Sequence, residues 1–170
     1  MGKVFKIILF FVVLTVFAMA QEQAPPQGSQ AKPDPSILKE FTRTETVNGI
    51  NMSFVLVNDK TVEVLFDGPS KYSLRARARL GTLFYVQGTP EKNVDRIDTK
   101  YTMEQDGETV DGTPMNIKNF EGGPVAKGTR IDGLLQFDKK LDLSHPFKLK
   151  NAKTTVDFKL SHDALKLLGS

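Results

Sequence analysis

The sequence predicts an all-β fold, a two-sheet antiparallel sandwich of about seven to nine strands with a short C-terminal helix. Three observations carry that expectation. From Ile37 onward the chain is a series of short segments rich in β-branched and aromatic residues, turn dipeptides separate them at regular spacing, and no helical segments alternate with them. A small closed β-barrel is the alternative that such spacing allows. A transmembrane barrel would need outward apolar bands of about 9–11 residues, longer than most segments here.

Residues 1–20 read as an export signal. Lys3 and Lys6 form its positive start, Ile7 to Phe17 is apolar except for Thr15, and Ala18-Met19-Ala20 supplies the small residues of a cleavage site. The run is shorter than the ~18 residues of a spanning helix, so no membrane span is expected after cleavage. Residues 21–35, with Pro25, Pro26, Pro33 and Pro35 among Gln, Ala and Ser, read as a disordered spacer. Residues 36–170 are then expected to form one domain.

Within that domain Asn48-Gly49 separates strands 39–47 and 50–57, because both central positions of a type I′ turn need positive φ. Asn58-Asp59-Lys60 leads to a strand over 61–66, where Val62, Val64 and Phe66 share one face. After Asp67-Gly68-Pro69-Ser70 comes a long extended run, 72–87. Leu83, Phe84, Tyr85 and Val86 make its second half apolar on both faces, as in a covered central strand. Strands near 94–104 and 109–117 flank the turn Gln105-Asp106-Gly107-Glu108, and two more cover 125–137 and 153–160. Ser161 is placed to cap a helix over 163–168 that docks through Leu165 and Leu168.

Composition excludes several functions. Of 23 basic and 20 acidic residues, Lys3 and Lys6 leave with the signal, so 21 face 20 and the remaining chain is nearly neutral. That balance gives no reason to expect a nucleic-acid partner. The chain has no cysteine, which rules out disulfides, a thiolate zinc site, a cysteine nucleophile and a lipidated cysteine. An exported domain without disulfides suits a bacterial protein of the periplasm or exterior. In that setting the sequon Asn51-Met52-Ser53 has no consequence.

Arg75, Arg77 and Arg79 alternate with Ala76 and Ala78 between Leu74 and Leu80. On a strand they would stand in one outward row about 6.6–6.8 Å apart, spaced for a polyanion or a partner's carboxylates. Equally, acids on neighbouring strands would neutralise them, with Glu63, Asp132 and Asp157 at outward positions. Asp142-Leu143-Ser144-His145 spells the letters of a triad, but neighbours in a loop diverge, and it reads as a turn. His145 and His162 are too few for catalytic zinc, and Asp106, Glu108 and Asp111 lack calcium-loop spacing. No catalytic residue, metal or cofactor is assigned.

The run Val125-Ala126-Lys127-Gly128-Thr129-Arg130-Ile131-Asp132-Gly133-Leu134-Leu135-Gln136-Phe137, followed by 141–149, resembles a known pattern. It is similar to the Lys-Gly and Gly-x-Leu-x-Phe closing strands of telokin-like, immunoglobulin-like domains of exported bacterial proteins, over about residues 72–160. The resemblance implies an immunoglobulin-like sandwich whose long central strand precedes a variable segment with an Asp-Gly turn, here Asp106-Gly107. The family's asparagine near the end of that strand is replaced by Gln87-Gly88. It implies no shared catalytic residues. The expected function is a non-catalytic binding or assembly module of the cell envelope that contacts another envelope or extracellular protein. A barrel carrying a small or lipidic ligand, and a hydrolase, are the alternatives.

Overall fold

A computed structural model describes residues 34–152 and 154–169, so the segment read as an export signal, and most of that read as a spacer, lie outside the described residues. Asp34 caps a 3-10 turn, Pro35–Ile37, by accepting the Ser36 amide at 2.9 Å. That turn runs into helix α1, Leu38–Phe41. The hairpin of β1, Thr42–Val47, and β2, Ile50–Leu56, follows. Asn48 and Gly49 take φ of 53° and 77° at its turn, as the Asn-Gly pair predicts.

The next two elements differ from expectation, since residues 61–66 and 72–80 are helical and not extended. Helix α2, Thr61–Leu65, is set by a reciprocal cap: Asn58 Oδ1 accepts the Thr61 amide at 3.0 Å while Thr61 Oγ1 accepts the Asn58 amide at 2.9 Å. Helix α3, Ser70–Leu80, is made of Lys, Tyr, Ser, Leu, Arg and Ala without one β-branched residue, and strong helix formers outweigh the two-residue alternation. Leu74 is buried and Ala78 half-buried, an i, i+4 pair facing inward.

Strand β3, Thr82–Pro90, is therefore shorter than the predicted run, and it is the central covered strand. Leu83, Phe84 and Val86 are fully buried. β4, Thr102–Gln105, and β5, Glu108–Asp111, turn at Asp106-Gly107, again with positive φ at both residues. β6, Thr113–Lys118, is an edge strand with a bulge between Asn116 and Lys118. β7, Ile131–Phe137, β8, Phe147–Lys150, and β9, Thr155–Phe158, precede helix α4, His162–Gly169. Ser161 Oγ accepts the Ala164 amide at 3.0 Å, and Leu165 and Leu168 pack on the core, as predicted.

All pairings are antiparallel, in a five-stranded sheet β1-β2-β3-β7-β6 and a four-stranded sheet β5-β4-β8-β9. The sheets face each other and do not close into a barrel. Phe84 of β3 meets Phe137, Phe147 and Phe158 at 5.2–6.1 Å between centroids, and Phe147 stacks on Phe158 at 4.9 Å. These rings fill the space in which a barrel would carry a ligand.

Opposite ends of the described chain meet along one flank. Arg43 Nη2 of β1 donates to the Lys159 carbonyl at 2.6 Å, and its guanidinium lies 5.7 Å from the Phe158 ring centre. The Ser161 hydroxyl donates to Glu40, and Phe41 of α1 and Ala164 of α4 are fully buried.

Candidate functional site

In the β2–β3–β7 register, Thr82, Phe84 and Val86 point between the sheets, while Leu83, Tyr85 and Gln87 face outward. Helices α2 and α3 cover the upper half of that outer face. The lower half is polar: Asn51, Ser53, Gln87 and Thr89 line an open groove of about 510 Å³ with Arg130 beside them.

Above the groove sits a cluster that sequence reading did not find. Gln87 pairs with Asp132 across β3 and β7, which makes Tyr85 and Asp132 diagonal neighbours on the outer face. The Tyr85 hydroxyl donates to Asp132 Oδ1. Arg130 grips the same carboxylate through Nε at 2.6 Å and Nη2 at 2.9 Å, and Nη2 also donates to the Tyr85 oxygen at 3.1 Å. Phe66 closes over the tyrosine edge-on at 5.4 Å. Burial of Asp132 by itself would raise its carboxyl, but the Arg130 and Tyr85 hydrogen bonds outweigh burial and hold it below the usual carboxylate range. Burial and the adjoining carboxylate push the Tyr85 phenol up. The arrangement is an anchored guanidinium, oriented but still largely exposed to solvent. The pattern Arg130-x-Asp132 on one strand face was its legible half, whereas Tyr85 lies 45 residues away from Arg130 in the chain.

The arginine row takes a different form from the one expected. Successive alternate residues on an α-helix turn by about 200°, so Arg75, Arg77 and Arg79 cannot form one row. Lys71, Arg75 and Arg79 share the flank facing α2. Lys71 Nζ lies 2.9 Å from Glu63 Oε2, Arg75 binds Glu63 and reaches Asp59 at 3.1 Å, and Arg79 holds Asp59 at 3.1 Å. The Lys71 hydrogen bond, opposed by some burial, draws the Glu63 carboxyl below its ordinary value. Arg77 lies on the other flank and donates to Gln136 Oε1 at 3.1 Å. Of the acids expected to balance the row, only Glu63 does so; Asp132 serves Arg130 and Asp157 faces Lys148 at 3.6 Å. Asp59 is the second counter-ion.

The third face of α3 points outward. Tyr72 is 63% exposed and Leu80 82%, two of three large hydrophobic side chains exposed among the described residues, with Ala76 between them.

In the 142–145 loop Asp142 Oδ1 accepts both the Ser144 amide at 2.9 Å and its hydroxyl at 2.5 Å, while His145 Nδ1 lies 3.4 Å from Asp106. The acid thus binds the serine directly, and no Asp–His–Ser relay forms. Gln105 fixes the turn by bonding both the amide and carbonyl of Asp142. No helix of the described residues is long and apolar enough to cross a membrane. No protein-family model, curated protein or solved structure matches the chain.

Proposed function

We propose that the chain is an exported, non-catalytic binding or assembly module of the bacterial cell envelope that engages another protein through the outer face of α3. The observation that carries this reading is the concentration of exposed apolar area there. Tyr72, Ala76 and Leu80 lie at i, i+4 and i+8, and Arg77 beside them has only a neutral amide as partner. Tyrosine and arginine are the residues that most enrich protein interfaces, and an isolated domain gains nothing from leaving Leu80 in water. The polar groove and anchored Arg130 on the sheet's outer face offer a second surface for the same kind of partner.

The test is a photo-crosslinking residue placed at Leu80 in intact cells, with the same residue at exposed Lys100 as control. A discrete adduct from position 80 that disappears on Tyr72→Ser with Arg77→Ala supports the reading. Absence of any adduct specific to position 80 discards it.

A further inference from the structure

At the end of the sandwich where β2 runs out and β3 begins lies a cavity of about 280 Å³. One side of it is apolar: Leu56 ends β2 and Val57 follows it, Ala78 comes from the inward side of α3, Leu141 and Leu143 from the loop after β7, and Leu168 from α4. Two lysines line the same cavity, Lys60 ahead of α2 and Lys140 after β7, and neither has an ion-pair partner among the described residues. Arg79 and Asp59 also line it, and the Asp59 carboxylate is taken up by Arg75 and Arg79, which leaves the two lysines as the unpaired charges of the lining. Asn58 uses its side-chain oxygen on the Lys60 and Thr61 amides, which leaves Nδ2 buried with no hydrogen-bond partner.

Each of these features is unfavourable by itself. An apolar hollow leaves its walls without contacts, two like charges at one cavity repel, and a buried amide donor without an acceptor loses its water hydrogen bond unreplaced. One kind of ligand answers all three. An apolar chain fills the hollow, and an anionic head satisfies the ammonium groups and offers an acceptor to Asn58. A cationic or purely apolar ligand answers the first alone. At ~30 Å³ for a water-sized group, the volume suits a chain of roughly nine heavy atoms.

We propose that this cavity binds a medium-chain carboxylate, its chain between Ala78, Leu141 and Leu168 and its head between Lys60 and Lys140. The site is separate from the face proposed for protein binding, since Ala78 faces inward on α3 whereas Tyr72 and Leu80 face outward.

The experiment is an amide-resonance titration of the full-length chain with decanoate below its micellar concentration, with decanol and decyltrimethylammonium as matched chains. Saturable shifts are expected at Val57, Gly81 and Leu141 with decanoate and not with the cation. The double substitution Lys60→Gln and Lys140→Gln should weaken decanoate about two- to fivefold per charge and leave decanol unchanged. Ala78→Phe should fill the cavity and abolish binding, and because that variant can also disturb packing, the charge variant decides the outcome. Equal binding of decanoate and decanol, insensitivity to the two lysines, or shifts scattered away from the cavity would each overturn the proposal.

Discussion

Gly133 of β7 is a position that leaves no room for a side chain. A Cβ built there would stand 2.1 Å from Phe120 Cδ1 and 2.4 Å from Cγ, against the ~3.5–4.0 Å at which carbons rest. The ring would have to retreat by at least roughly 1.5 Å, but Phe120 is 1% exposed and its amide is fixed by Asn116 Oδ1 at 2.8 Å. Gly133→Ala therefore either expels the ring, which forfeits about 1.5–3 kcal/mol of burial, or bends β7 at its middle, at about 1–3 kcal/mol. We expect a loss near 3 kcal/mol, a fall in Tm of about 10 °C for a domain of this size. The decisive measurement is a double-mutant cycle by urea unfolding. Phe120→Ala alone should lose about 3–5 kcal/mol, but Gly133→Ala added to it should change stability by under ~0.5 kcal/mol, because the new methyl enters vacated space. Equal losses from Gly133→Ala in both backgrounds would refute the steric account.

Three further outcomes are expected. Asp132→Asn should destabilise by about 2 kcal/mol, since it removes the ionic acceptor of both Arg130 and Tyr85. Because the folded state holds the Asp132 carboxyl below its ordinary value, its stabilisation is present above the unfolded pKa of about 3.9 and is lost as pH falls through the folded one. Wild-type stability, read by urea unfolding at each pH, should accordingly fall more steeply than that of Asp132→Asn below about pH 4 and converge on it, and parallel profiles would contradict this. Glu63→Gln should loosen α3 by about 1 kcal/mol or less, read as faster amide exchange in residues 70–80; unchanged exchange would show the Lys71 and Arg75 contacts to be idle. Arg77→Ala should leave retention on heparin unchanged, as the three arginines do not form a row, and a salt-dependent loss would restore the polyanion reading.

What could be read from the residues depended on whether the signal was local. Asn48-Gly49 and Asp106-Gly107 announce their turns because only a few residue types accept positive φ, and Ser161 announces its helix because the cap lies three residues from the amide it accepts. Residues 61–80 misled because both periods fit them. Val62, Val64 and Phe66 alternate, yet Val62 and Phe66 are also i and i+4. In 74–80 the alternation of Arg with Ala imitates a strand while every residue favours a helix. The caps around Asn58 and the absence of β-branched residues after Pro69 were the available discriminators. Tyr85, Arg130 and Asp132 were illegible as a group because the β3–β7 register creates their meeting, and no spacing within one segment encodes it. The terminal cavity was hidden for the same reason, since its walls come from four separate stretches of chain.

The flank at which Arg43 meets Lys159 and Glu40 meets Ser161 has a temporal meaning. These contacts join residues 116 and 121 positions apart, so the opening helix and strand stay unsealed until the closing strand and helix are free to dock. The β1–β2 hairpin can pair by itself through its local turn, so what waits is its docking along this flank. With no cysteine to lock a partial arrangement on the way, completion would rest with the last twelve or so described residues.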